Sequence, residues 1–105
     1  MTTKITITQI TAGAVLKDAT GDIVRPGEID LADDAVLTVE AQGAWSALVC
    51  NESPDGAHNV ETIIKDDADD YETHHLKPHG GWSLGWSVVL VGDPGDYATI
   101  RALST

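Results

Sequence analysis

The residues best equipped for chemistry lie between Asp66 and Gly81. Asp66, Asp67, Asp69, Asp70 and Glu72 place five carboxylates within seven positions, and carboxylate oxygens are the hard ligands that calcium takes. The run lacks the regular spacing and mid-loop glycine of an EF-hand, so a solvated acidic loop is the plainer reading. No bound metal is expected, and those five residues are the candidate ligands if one binds. Asp18–Asp22 and Asp93–Asp96 offer the same chemistry at lower density. His74, His75 and His79, with His58 upstream, add imidazoles of the kind that zinc accepts. Neighbouring residues on an extended chain point to opposite sides, which separates His74 from His75. A His75–His79 pair needs a helix that Pro78 and Gly80 disfavour. Surface histidines are the default, and imidazoles beside acids that titrate near neutrality would make the loop pH-sensitive.

Hydrolytic catalysis asks for a nucleophile on a strained turn or two carboxylates facing across a cleft, and neither signature is present. Pro78-His79-Gly80-Gly81 leads into a strand, whereas a phosphate-binding loop opens a helix. The chain is therefore expected not to be an enzyme and to use no cofactor. Trp45, Trp82 and Trp86 could stack on sugar rings, but Trp82 and Trp86 share strand parity with Leu84 and Val88, which favours burial.

The elements that would position these residues are β-strands. Period-two alternation recurs along the chain, and no stretch of ten residues holds a helical period between breakers. Expected strands are Lys4–Ile10, a hairpin of Ala14–Lys17 and Asp22–Arg25 across Asp18-Ala19-Thr20-Gly21, and Glu28–Leu31 after the Pro26-Gly27 turn. Ala35, Leu37, Val39 and Ala41 then point one way, and Val36, Thr38, Glu40 and Gln42 the other. Ala44–Asn51 is apolar on both faces, as in a central strand. Asn59–Lys65 follows the Ser53-Pro54-Asp55-Gly56 turn. Asp66–Gly81 is expected to be a long surface loop with one helical turn at Glu72–Leu76. Trp82–Val91 reads as the best core strand, and Asp96–Leu103 closes the chain with Ala98, Ile100 and Ala102 on one face. The fold class is all-β: an antiparallel β-sandwich, jelly-roll or Ig-like, of seven or eight short strands with little or no helix, forming a single domain over 1–105.

Composition narrows the partners. The 105 residues hold 17 acidic and 6 basic side chains, a formal charge of −11, which repels phosphate backbones and anionic lipid. Neither nucleic acid nor membrane is expected as a partner, and a charged partner would be basic; the same excess also serves solubility. The single Cys50 rules out an internal disulfide and fits a small core hydrophobe. Met1–Thr6 lacks a signal-peptide pattern, and no segment is apolar enough to span a bilayer, so a soluble product made in the cytosol is expected.

From Leu31 to Leu103 the order of elements resembles a small β-sandwich domain found among bacteriophage virion proteins, in head decoration or cement, fibre and tail-associated components. The resemblance is carried by Ala35–Ala41, a glycine, the apolar Trp45–Cys50, the Ser53-Pro54-Asp55-Gly56 turn and Val60–Ile64. It continues through the acidic, tyrosine-containing Asp66–Tyr71, Gly80-Gly81 before a long strand, and the alternating Asp96–Leu103. This chain has no phenylalanine where such domains often show aromatic residues near the Asp-Gly turn. The resemblance implies a capsid decoration protein that staples neighbouring virion subunits, located in the virion and forming homo-oligomers, with trimers one arrangement. Met1–Ile10 would then either add as a strand to a partner's sheet or pair within its own. Lys4, Ile5, Ile7, Tyr71, His74, His75 and His79 are the candidate partner-binding residues. Two other readings stay open: a calcium- or glycan-binding module, and an acidic mimic of nucleic acid that inhibits a host protein.

Overall fold

The computed structural model describes residues 2–54, 57–66, 71–79 and 85–103. These form nine strands: β1 (Thr2–Thr8), β2 (Val15–Lys17), β3 (Gly27–Ala32), β4 (Val36–Glu40), β5 (Trp45–Asn51), β6 (Val60–Lys65), β7 (Tyr71–Leu76), β8 (Ser87–Gly92) and β9 (Tyr97–Ala102). No described residue is helical. Two antiparallel sheets pack face to face as a sandwich, a four-stranded one ordered β3-β1-β5-β8 and a five-stranded one ordered β2-β4-β9-β6-β7.

Alternation decides what enters the core. Ile5 and Ile7 of β1, Trp45, Ala47 and Val49 of β5 and Leu90 of β8 face Leu16, Leu37 and Val39, Val60, and Ala98, Ile100 and Ala102 of the other sheet. Small residues on β9 leave room for the larger side chains opposite. Trp45 is almost fully buried, and its indole Nε1–H donates to the Asp96 carbonyl at 3.2 Å. The ring lies over Gly92, where an added Cβ would stand 2.2 Å from it. Only glycine lets β8 pass beneath this indole.

One buried polar residue, Asn51 of β5, holds both the β5–β6 and the β7–β8 connections in place. The Asn51 side-chain amide donates to the His58 and Leu76 carbonyls, each at 3.1 Å, and its oxygen accepts the Ser53 N–H at 3.2 Å. Its main-chain N–H donates to the Trp86 carbonyl and its carbonyl accepts the His79 N–H. A fully satisfied amide of this kind fixes geometry as much as it adds stability.

Several expectations are revised. Glu72–Leu76 is not a helical turn within a long loop: it belongs to strand β7, paired in register with β6 from Val60↔Leu76 to Lys65↔Tyr71. That ninth strand exceeds the seven or eight expected. Asp22–Arg25 makes a single bridge, Lys17↔Ile23, rather than a strand. The strand expected over Trp82–Val91 starts at Ser87 among the described residues and lies at a sheet edge. Trp82, Leu84, Asp55, Gly56, Gly80 and Gly81 lie outside the described residues.

Candidate functional site

Of the acidic run, Asp66 and Glu72 are among the described residues; Glu72 lies on β7 beside His74, whereas His79 follows the far end of that strand. Lys65, the last residue of β6, is paired with Tyr71, the first of β7. Strand β7 is six residues long, which at about 3.4 Å per residue places His79 roughly 20 Å from the start of that strand. Asp67, Asp69 and Asp70, three of the five candidate metal ligands, lie outside the described residues. Among the described residues, no group of three or more His, Cys, Asp or Glu side chains is arranged to hold a metal ion.

Each histidine instead stands beside its own carboxylate. His74 Nε2 is 3.0 Å from Glu72 Oε1, and His75 Nε2 is 3.3 Å from Glu61 Oε2, whose other oxygen accepts from Arg101 at 3.3 Å. His58 Nε2 lies 3.6 Å from Asp33 Oδ2. His79 Nδ1 lies 3.7 Å from Glu52, and its ring stacks on Trp86 with centroids 3.9 Å apart. His74 faces the sheet's inner side with Leu76, while His75 faces outward, as parity required.

The N-terminal segment pairs within its own sheet. Strand β1 has β3 on one side and β5 on the other, and Ile5 and Ile7 are fully buried, so neither edge nor apolar face is left to receive a partner. Lys4 stays on the surface, where its Nζ is 2.8 Å from Glu28; the hydrogen bond and charge of that carboxylate raise the lysine pKa. Cys50 is buried, and that burial raises its thiol pKa above the usual range.

A shallow groove of about 630 Å³ opens at the acidic end, lined by Gly13, Glu40, Gln42, Gly43, Asp96 and Tyr97. Its two carboxylates are already engaged: Glu40 binds Lys17 Nζ at 2.7 Å, and Asp96 accepts the Asp93 N–H at 2.9 Å.

The sheet edges show a sharper contrast. Exposed edges invite pairing with other chains, and proteins blunt them with charge, brevity, proline or bulges. Edge β2 is three residues long; edge β3 carries Glu28 and Asp30, and edge β7 carries Glu72, His74 and His75. Edge β8, Ser-Val-Val-Leu-Val-Gly, has none of these guards. The Asn51–Trp86 hydrogen bond sets the alternation of the β5–β8 ladder, so the main chain of Val88, Leu90 and Gly92 faces β5. The N–H and C=O groups of Ser87, Val89 and Val91 face outward, and no main-chain partner meets them among the described residues. Val89 and Val91 are 60% and 64% exposed, beside half-buried Leu48 on β5. Sequence alternation sets these valines on the parity opposite Val88 and Leu90, but nothing local in the sequence marks that strand as an edge.

No family model, curated protein or solved structure matches the chain.

Proposed function

We propose that this chain is a non-enzymatic structural protein of a bacteriophage particle, a decoration or cement protein that stabilises neighbouring capsid subunits. The observation that carries the reading is the unguarded β8 edge: an uncharged, valine-rich strand with outward main-chain groups in a chain of charge −11. Depletion of charge around apolar side chains is the compositional mark of an interface core, and main-chain pairing at an open edge supplies affinity without a pocket. The order of elements from Leu31 to Leu103 supports the virion setting. Repetition on a symmetric lattice would convert a weak strand contact into stable attachment.

The test is co-sedimentation of the purified protein with phage particles that lack it, followed by heating. Saturable uptake and a higher temperature of particle disruption are expected. Particles that take up none of the protein at a large excess would overturn the reading.

A further inference from the structure

We infer that strand β8 pairs with β8 of a second copy, antiparallel across a two-fold axis at Val89, joining two four-stranded sheets into one. The inference rests on the proposed role of this edge as an assembly surface and names its occupant as a second copy, so that paired copies rather than a single chain would span neighbouring capsid subunits.

The register is dictated by which groups face outward. Only Ser87, Val89 and Val91 of β8 direct their main chain away from β5. With Val89 opposite its own copy, Ser87 falls opposite Val91, and these are hydrogen-bonded pairs of an antiparallel ladder. Every outward N–H and C=O of the three residues then finds a partner. A shift by one residue would place outward groups against inward ones, so the sequence spacing allows this register and forbids its neighbours.

Side chains agree with that alignment. On the outer face Val89 meets Val89 and Val91 meets Ser87, extending the apolar strip that begins at Leu48. β-Branched pairs directly across an antiparallel ladder are favourable contacts. On the inner face Val88 meets Leu90. The nearest carboxylate, Asp93, falls opposite Gly85, so no like charges face each other along the paired strands. Edge β3 cannot pair this way without opposing carboxylates, edge β2 is only three residues long, and edge β7 puts Glu72, His74 and His75 along the ladder where β8 has valines.

Two copies each carrying −11 repel over distances set by salt. The strand contact is also short compared with the roughly 1,200–2,000 Å² of a stable interface. The pair is therefore weak in dilute solution, and salt strengthens it.

Sedimentation equilibrium of the full chain, from about 10 µM to 1 mM at low and moderate salt, tests the inference, with Val89→Lys and Thr99→Lys as variants. Thr99 lies on the outer face of the other sheet, and each lysine makes the net charge less negative by the same one unit from −11, so a difference between the variants cannot come from net charge alone. The expected result is a mass rising toward twice the monomer for wild type and Thr99→Lys, more readily in salt. For Val89→Lys, folded by circular dichroism, association should be at least tenfold weaker. A wild-type monomer across the whole range, or an oligomer that Val89→Lys leaves intact, would overturn self-pairing. A strict monomer that still saturates phage particles would overturn this inference and leave the virion role standing; a dimer that binds no particle would do the reverse.

Discussion

Replacing Gly92 by alanine should cost stability although alanine is ordinarily the better strand residue. Removing a glycine from a strand interior normally gains roughly 0.5–1 kcal/mol, through lower backbone entropy in the unfolded chain. Here the new methyl would stand 2.2 Å from Cε2 and Nε1 of Trp45 and 2.6 Å from Cζ2. The indole must withdraw by more than about 1 Å to restore an ordinary contact, and overpacking of this kind costs roughly 1–3 kcal/mol. Withdrawal also stretches the 3.2 Å bond from the indole to the Asp96 carbonyl, a further loss of about 1 kcal/mol. The costs outweigh the gain, leaving Gly92→Ala about 1–3 kcal/mol less stable, a fall in Tm on the order of 5–20 °C for a chain of this size. Thermal and urea melts followed by tryptophan fluorescence would measure it. The mechanism is isolated by repeating the substitution in a Trp45→Leu background, where the smaller side chain leaves room and Gly92→Ala should be neutral or mildly stabilising. A Gly92→Ala protein as stable as wild type, or an equal loss in both backgrounds, would refute the steric reasoning.

Asn51→Asp preserves shape but turns the group facing the His58 and Leu76 carbonyls from donor to acceptor. It should cost on the order of 3 kcal/mol in urea denaturation; a loss below about 1 kcal/mol would show that the amide is dispensable. Asp18 accepts from the Thr20 hydroxyl at 2.6 Å and from the Thr20 and Asp22 amides. Those bonds, the hydroxyl foremost, hold its pKa below the usual carboxylate range. A depressed folded-state pKa contributes stability above the unfolded value of about 3.9 and loses it as pH falls through the folded value. A carboxyl NMR titration of Asp18 should have its midpoint below about 3.9, and a midpoint at or above that value would contradict the hydrogen-bond assignment.

Much of the architecture was legible because burial imposes period two. Leu37 and Val39 are buried between partly exposed neighbours, and Ala98, Ile100 and Ala102 occupy the inner face of β9, both as alternation required. Strand β7 was not legible. Tyr-Glu-Thr-His-His-Leu has little apolar rhythm, and pairing with β6 holds it extended, with Leu76 fully inside. Pairing partners were hidden for a related reason: alternation shows which side chains face inward but not which strands lie alongside. Thus β1 was recognisable as a strand, yet its place between β3 and β5 came from contacts distant in sequence. The same gap concealed the edge position of β8, whose valines suit a covered strand equally well. For the candidate ligands, residue type was plain and convergence was not, since one strand length lies between the start of β7 and His79.

The claim that β8 is the assembly surface is tested most directly by amide hydrogen exchange on the free protein and on the protein assembled, with itself or on particles. In the free protein the amides of Ser87, Val89 and Val91 should exchange quickly, while those of Val88 and Leu90, directed at β5, exchange slowly. On assembly, the first three should become protected by at least tenfold, with the outer-facing residues of β4 and β9 unchanged. Assembly that leaves Ser87, Val89 and Val91 exchanging at their free rates would contradict the claim.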